Sequence, residues 1–289
     1  MMPTRRECLI GAASAAGLAL GVATRRTAAA PPTLGLKVGM CDWSMGRGDP
    51  SAFELAKAIG LDGVEVSVGY PKDKLWLRRP EVQKQYRDAA RQAGLAIPSV
   101  AMGVLNDVPL MSEPRAAVWV ADAIEAAKNL GAKSILLAFF GKGELRAENT
   151  EDMRRVTEVM QELAPRAEKA GVILGLETYL NADAHLSILE QVKSPAVQVY
   201  YDVFNSGVTR KHDVIRELKQ IGRERICQVH FKEGGALLGQ SGKIDWPAVA
   251  AALKEIDYRG WIVLETASPQ SVLTDTRTNL DYVRKLFAV

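Results

Sequence analysis

Residues 149–177 read NTEDMRRVTEVMQELAPRAEKAGVILGLE and contain one complete helix-turn-strand unit. Asn149 is a residue type that caps helices, and the spacing of the apolar side chains after it predicts a helix packed on a sheet: Met153, Val156, Met160, Leu163 and Ala167. Gly171 supplies the left-handed conformation that ends many helices. The apolar run 172–176 then predicts a buried strand, which Glu177 follows directly.

The same unit recurs along the chain. Helix starts are predicted at Asp49-Pro50, Pro80 and Ser112-Glu113-Pro114, and glycines end the corresponding helices at Gly60, Gly94 and Gly131. Apolar runs predict eight strands, near residues 37–42, 63–67, 96–102, 133–140, 172–177, 197–202, 225–230 and 260–265. Continuous apolar strands are typical of a parallel sheet that is buried on both faces.

Eight such units predict an α/β protein with a single (β/α)8 TIM barrel. The alternative architecture is a doubly wound open sheet, which would place a glycine-rich phosphate turn after the first strand. Residues 40–44, MCDWS, do not form such a turn. The chain has 289 residues, a length that one barrel domain can account for. We therefore assign residues 31–289 to one barrel domain.

Residues 1–30 have the features of a signal peptide. Arg5 and Arg6 precede an uncharged stretch rich in Ala, Gly and Leu at residues 9–22, and Ala28-Ala29-Ala30 offers a small-residue cleavage site. Paired arginines before a weakly apolar segment indicate twin-arginine export of a folded protein, which predicts a periplasmic or otherwise exported location. An uncleaved membrane anchor is the alternative interpretation.

The distribution of charge argues against a nucleic-acid partner, and the positions of the cysteines argue against a disulfide. Residues 1–30 hold four arginines and one glutamate, and this net +3 equals the formal charge of the whole chain. The remaining domain is near neutral and lacks the basic field of a duplex nucleic-acid binder. After cleavage we expect no stable membrane association. Cys41 and Cys227 lie in predicted core strands and are interpreted as small buried hydrophobes rather than a disulfide.

Polar residues end four consecutive predicted strands: Glu177, Asp202, His230 and Glu265. The carboxyl ends of barrel strands meet at the catalytic mouth, so these side chains should converge. Three clustered carboxylates repel one another unless a cation neutralises them. Oxygen-rich ligation with one imidazole favours Mn²⁺, with Mg²⁺ or Co²⁺ as alternatives.

Each of these residues also has a structural interpretation. A single carboxylate at a strand end would cap a helix or pair with a lysine, and His230 alone could be a core histidine bonded to backbone. Four candidate ligands on successive strands favour the metal site. His212 lies in the charged segment 210–213, which is typical of a solvated face.

These residues carry a resemblance to the xylose isomerase-like TIM barrels, the sugar phosphate isomerase/epimerase group that includes ketose 3-epimerases and hydroxypyruvate isomerase. The segments that carry it are Glu177, 201–205 (YDVFN), 229–233 (VHFKE), 242–246 (GKIDW) and 258–265 (YRGWIVLE). The resemblance implies that Glu177, Asp202, His230 and Glu265 bind the metal. It also implies that the two glutamates act from opposite faces of a sugar as acid and base.

The sequence departs from the ketose epimerase pattern at two positions. Asn205 stands where those enzymes often carry a histidine, and Lys232 follows His230 where they place an arginine further on. Which sugar is the substrate therefore stays open. The candidate substrate-binding residues are Lys232, Asn205, Lys142, Trp43 and His185. An unphosphorylated sugar is favoured, because no arginine cluster follows the last two strands.

Other functions remain open on the sequence alone. A lyase or hydratase acting on 3-keto-glycosides would use the same proton abstraction beside a carbonyl. An abasic-site endonuclease would need a histidine-rich site with several metals and a basic face, but the chain has three histidines. A non-catalytic sugar-binding module would not need four convergent ligands. Assembly into a homo-oligomer also stays open.

Overall fold

The computed structural model describes residues 35–288, so the predicted signal peptide and domain boundary lie outside the described residues. Eight parallel strands pair in chain order, and β1 pairs with β8 to close the barrel. The strands are β1 Lys37–Cys41, β2 Gly63–Ser67, β3 Ser99–Met102, β4 Ser134–Ala138, β5 Ile173–Glu177, β6 Val197–Asp202, β7 Ile226–Phe231 and β8 Trp261–Leu264. The predicted (β/α)8 barrel is confirmed, and closure excludes the doubly wound sheet.

An α-helix follows each strand and packs on the outside of the barrel. The helices are α1 Ala52–Ile59, α2 Pro80–Ala93, α3 Pro114–Leu130, α4 Thr150–Ala170, α5 Ala182–Val192, α6 Val214–Ile221, α7 Trp246–Glu255 and α8 Val272–Phe287. Short 3-10 turns and one π-helical turn, Asn205–Thr209, complete several loops. No helix among residues 35–288 is both long and apolar enough to cross a membrane.

Local sequence explains where the helices begin and end. The Asn149 side chain accepts a hydrogen bond from the backbone N–H of Asp152 and caps α4, while Gly171 ends α4 at φ 67°. The start predicted at Asp49-Pro50 is two residues early. Asp49 Oδ1 accepts a hydrogen bond of 2.7 Å from the backbone N–H of Ser51, and this turn delays α1 to Ala52.

Two predicted strands, the third and the fourth, are each three residues longer than the observed β3 and β4. β3 begins at Ser99 rather than near residue 96, because Pro98 has no N–H to donate to the ladder. β4 ends at Ala138 because the backbone N–H of Phe140 donates to the Asn106 side chain at 2.9 Å instead of to a strand. Both changes shorten strands without altering their order.

The main apolar core lies between the barrel and its helices. Four residues of the predicted α4 stripe are buried there, and Met153 is partly buried against the same core. Cys41 is buried, Cys227 is partly buried, and both are free thiols. Inside the barrel, in contrast, several of the buried side chains are polar, and these side chains lie directly beneath the mouth.

Candidate metal centre and substrate cavity

The four predicted ligands lie at one end of the barrel because each sits at the carboxyl end of its strand. Glu177 and Asp202 are the last residues of β5 and β6, and Glu265 directly follows β8. His230 is the penultimate residue of β7 and pairs in register with Asp202. Their ligand atoms all lie within 4.8 Å of one another, so the fold brings together all four residues that the sequence singled out.

The imidazole of His230 turns its Nδ1 atom toward the carboxylates. Nδ1 lies 3.1 Å from Glu177 Oε1, 3.6 Å from Glu265 Oε2 and 3.9 Å from Asp202 Oδ2. The ring itself is fully buried. Nδ1 is therefore the nitrogen that would face an ion held by these carboxylates.

Lys232 places a positive charge at the edge of this cluster. Its Nζ atom lies 2.8 Å from Glu265 Oε2 and 3.0 Å from Asp202 Oδ2. Glu265 also accepts a hydrogen bond of 3.2 Å from the indole N–H of Trp43. On the other oxygen of Asp202, the backbone N–H of Asn205 donates at 2.7 Å. These contacts fix the two carboxylates in place.

Burial and neighbouring charges shift the pKa values of Glu177 and Glu265 in opposite directions. Burial raises the pKa of Glu177 to about 7, and the charge of His230 opposes this rise only in part. Burial also acts to raise the pKa of Glu265, but the charges of His230 and Lys232 outweigh it and hold this pKa below its usual value. Opposite shifts in adjacent carboxyl groups are typical of sites that move protons.

The donor set fits a divalent cation. Three buried carboxyl groups and one imidazole nitrogen supply oxygen-rich ligation, which suits Mn²⁺, Mg²⁺ or Co²⁺. Asp202 Oδ2 is buried and accepts no hydrogen bond from the described residues, although Lys232 Nζ lies nearby. A buried acidic oxygen without a hydrogen-bond donor is well placed to contact an ion. The residues present are therefore compatible with one bound cation.

A cavity of about 490 Å³ opens above the cluster at the mouth of the barrel. This volume is within the range of roughly 300–1,000 Å³ typical of small-molecule sites. Glu177 and Glu265 both line it, and the other lining residues are Trp43, Ser67, Tyr70, Ala101, Gly103, Asn106, Asp107, Leu136, Ala138, Phe140, Tyr179, Asn205 and Lys232. A ligand in the cavity would contact both glutamates.

Comparison with known families matches residues 53–286 to the model described as "Xylose isomerase-like TIM barrel". This match covers most of the chain. The protein belongs to the xylose isomerase-like TIM barrel family. In this structure, the strand order and the position of the four candidate ligands at the strand ends are as the sequence predicted.

Several proteins of named activity are similar to this chain. A 2-epi-5-epi-valiolone 7-phosphate 2-epimerase from an Actinoplanes strain is 27% identical over 206 residues, which cover 71% of this chain and 75% of the relative. A structure of L-ribulose 3-epimerase superposes with a TM-score of 0.74 at 19% identity, covering 88% of this chain and 95% of that one. The apo structure of 3-keto-D-glucoside 4-epimerase from E. coli gives 0.70 at 16% identity, with coverage of 86% and 99%. At these identities, the two structures support the fold alone.

Three of the predicted substrate-binding residues line the cavity: Trp43, Asn205 and Lys232. Lys142 is exposed in the loop after β4 and does not line the cavity. His185 is buried on α5, with Nε2 2.9 Å from Thr178 Oγ1 and Nδ1 3.1 Å from the carbonyl of Asn181. The substrate-binding roles predicted for Lys142 and His185 therefore have no support from their positions, because one faces solvent and the other is held beneath a loop.

Two sets of residues near the site were not predicted from the sequence. Glu65 lies in β2 and contacts His230 Nε2 at 3.0 Å. Its sequence signal is a charged residue inside an apolar strand, and that signal alone does not indicate a partner. Tyr70, Phe140 and Tyr179 line the cavity from loops. Single aromatic residues in loops carry no spacing pattern, so no sequence signal distinguished them.

Proposed function

We propose that this protein is a divalent-metal-dependent sugar isomerase or epimerase that moves a proton at the carbon beside a carbonyl. Its relatives indicate an isomerase/epimerase-like enzyme. The observation that carries the proposal is the placement of Glu177 and Glu265 on β5 and after β8. Both line one cavity and both lie beside Nδ1 of a buried histidine. Two carboxyl groups that contact one ligand can remove a proton and return one.

Glu177, Asp202, His230 and Glu265 would hold the ion, and Mn²⁺ is the metal that we propose first. When bound, a divalent ion polarises a carbonyl and an adjacent hydroxyl, which acidifies the C–H between them. A glutamate carboxylate then takes the proton from carbon, and the C–H electron pair moves toward the carbonyl oxygen. The second glutamate, as the acid, donates a proton to the opposite face. The reverse reaction exchanges the two roles.

Lys232 would stabilise the charge that develops on the sugar oxygen. Its ammonium group is positioned by Asp202 and Glu265 and reaches the cavity. Burial alone would lower the pKa of Lys232, but these two carboxylates outweigh burial and hold its pKa above the usual value. The residue is therefore a fixed positive charge rather than a proton donor.

The charge of the cavity supports an unphosphorylated substrate. Lys232 is the one basic side chain among the lining residues that the structure describes, and two carboxylates already pair with it. Asp107 adds a further acidic side chain. A phosphate group needs unpaired cations or a nest of N–H donors. We therefore propose a neutral sugar, in contrast to the phosphorylated compound named for the Actinoplanes relative.

Exposed aromatic rings in the cavity favour a substrate that extends beyond one sugar ring. For this reason, a lyase or hydratase acting on 3-keto-glycosides is the second candidate function. Trp43 and Tyr70 are 38% and 46% exposed and line the cavity. Phe140 and Tyr179 line it as well, with ring centroids 4.7 Å apart. Exposed aromatic faces that are rimmed by polar groups are typical of binding surfaces.

Replacing Tyr70 tests whether the cavity binds an extended sugar. We expect Tyr70→Ala to weaken binding of a glycoside by about fivefold, since one aromatic contact contributes on the order of 1 kcal/mol. Binding of the corresponding free sugar should change by less than about twofold. Val118→Ala is the matched control, because Val118 is exposed on α3, away from the cavity. Calorimetry with both ligands gives the result, and equal losses for both would exclude the extended substrate.

We also propose that the protein is exported with a twin-arginine signal and works in the periplasm or outside the cell. The support is the sequence of residues 1–30. A scarcity of sugar phosphates outside the cytoplasm agrees with a neutral substrate. Fractionation of cells that express the full chain, together with the N-terminal sequence of the exported product, tests this location.

Solvent deuterium uptake tests the reaction itself. Mass spectrometry of a sugar incubated in D2O reports whether a carbon-bound proton has exchanged. Uptake without any other change in composition indicates an isomerase or epimerase. Loss of an aglycone, or a mass change of one water, indicates a lyase or hydratase. Sugar binding without either change would indicate a non-catalytic binding module.

A further inference from the structure

A polar layer fills the barrel interior directly beneath the candidate metal centre. Glu65, Ser99, Tyr200 and Gln228 are all buried there, on β2, β3, β6 and β7. Barrel interiors are mostly filled by Val, Ile and Leu. Polar side chains in a core destabilise the fold unless they are hydrogen-bonded, so their presence calls for an explanation.

Every member of this layer is bonded to another member. Glu65 Oε2 accepts hydrogen bonds from Ser99 Oγ and, at 2.7 Å, from Tyr200 Oη. The Gln228 amide contacts Ser99 Oγ at 2.7 Å and Tyr200 Oη at 2.6 Å, and it lies 3.4 Å from Glu65 Oε2. Ser134 Oγ in turn donates to Gln228 Oε1 at 2.9 Å. The network fixes the Glu65 side chain from below.

The other oxygen of Glu65 points at the histidine of the metal centre. Oε1 lies 3.0 Å from His230 Nε2, on the side of the ring opposite Nδ1. Both side chains are fully buried, so water does not compete for this contact. The imidazole therefore lies between Glu65 beneath it and the carboxyl groups of the candidate metal centre above it.

We propose that Glu65 is a positioning residue that holds His230 in the form that binds metal. When an ion replaces the proton that Nδ1 shares with Glu177, a hydrogen bond from His230 Nε2–H to Glu65 Oε1 keeps the remaining proton on Nε2 and leaves the Nδ1 lone pair for the ion. The opposite tautomer would place two lone pairs against each other at Nε2. It would also direct the Nδ1 hydrogen into the ligand cluster. This inference rests on the metal site of the proposed function and assigns the polar barrel interior to the support of that site.

Cys41 offers a competing interpretation of the same region. Its Sγ atom lies 3.5 Å from His230 Nε2 and 3.6 Å from Glu65 Oε1, so the three residues could form a second metal site. The contacts of Glu65 oppose this, because Oε1 already engages His230 Nε2 at 3.0 Å while Oε2 accepts hydrogen bonds from Ser99 and Tyr200. One ion per chain is therefore expected.

Mn²⁺ binding to the full chain tests the proposal without measuring activity. We expect Glu65→Gln to weaken Mn²⁺ binding by about 10–100-fold, with one ion per chain in the wild type. Ser134→Ala is the control, because it removes the hydrogen bond most distant from His230 and should change affinity by less than about twofold. Circular dichroism verifies that both variants fold. Equal affinity in Glu65→Gln and wild type, or two ions per chain, would overturn the inference. No Mn²⁺ binding by the wild type would instead contradict the proposed function.

Nitrogen NMR distinguishes a positioning role of Glu65 from a merely structural one, because it reports which ring nitrogen of His230 carries the hydrogen. The chain has three histidines, so the His230 ring can be assigned in ¹⁵N-histidine-labelled protein loaded with Mg²⁺. The proposal predicts hydrogen on Nε2 and none on Nδ1. A hydrogen on Nδ1 in the loaded protein would overturn it. At saturating Mn²⁺, Glu65→Gln should also recover most of the wild-type exchange rate, because the variant loses affinity rather than a reacting group.

Discussion

Glu265→Gln should lower sugar proton exchange by about 1,000-fold or more, a loss at the upper end for a residue that transfers a proton. The substitution keeps the shape of the side chain but removes the carboxylate that would both contact the sugar and hold the ion. It should also weaken Mn²⁺ binding, since an amide oxygen is a poorer ligand than a carboxylate. The barrel should stay folded, because Glu265 follows β8 and is partly exposed at the cavity.

The matched control is Glu255→Gln. Glu255 is the last residue of α7, and its side chain pairs with Lys219 at 2.7 Å on the surface. A surface ion pair of this kind contributes only about 0–1 kcal/mol to stability. Exchange rate and Mn²⁺ affinity should both match the wild type. A metal-loaded Glu265→Gln protein that exchanges the sugar proton at the wild-type rate would remove Glu265 from the mechanism.

Glu177→Gln should remove most of the stabilisation of the barrel by metal. An ion that binds only the folded state at about 100 times its Kd adds roughly 2.7 kcal/mol, which for a chain of this size raises Tm by about 5–10 °C. The variant lacks one carboxylate ligand, so Mn²⁺ should raise its Tm by only a small fraction of that roughly 5–10 °C. Without metal, its Tm should be similar to the wild type, because the glutamine amide can still contact His230 and adds no buried charge.

Differential scanning calorimetry with Mn²⁺ and with a chelator measures both shifts. Glu190→Gln is the control, since Glu190 is exposed on α5, and it should keep the full metal-dependent rise in Tm. If Glu177→Gln showed the same rise as the wild type, Glu177 would not be a ligand. If it unfolded without metal, its role in the fold would be larger than the contacts indicate.

The barrel was predictable because its determinants are local. Asn149 and Gly171 bound α4, and the apolar run that follows forms β5, so a window of about 30 residues around them contains the information. The errors were equally local. Pro98 shortened β3, and the turn at Asp49 delayed α1. Neither error changed the strand order, because eight helix-strand repeats specify it.

The candidate metal centre was predictable for a different reason. In a parallel barrel, strand ends meet at one rim, so the last polar residue of a strand has a known location before its neighbours are known. That rule placed Asp202 and His230 side by side. It gave no information about Glu65, whose partner His230 is 165 positions away in the sequence.

Side chains outside the strands were the least predictable. Residue type alone suggests Lys142 and His185, but the loop after β4 exposes Lys142 and α5 buries His185. Tyr70 and Phe140 line the cavity although nothing in their spacing marks them. Loop conformation depends on contacts such as the one between Asn106 and the Phe140 N–H, which join distant segments.

The most direct test of the proposed reaction is deuterium uptake from D2O by free ketoses, aldoses and 3-keto-glycosides in the presence of the purified protein. Each sugar is incubated with protein and Mn²⁺, and a parallel sample contains a chelator. We expect one sugar class to gain one deuterium at a carbon beside its carbonyl, with Mn²⁺ and not with the chelator. Uptake that persists in the chelated sample would contradict the role of the metal. Absence of uptake from every sugar by metal-loaded protein would contradict the proposed proton transfer.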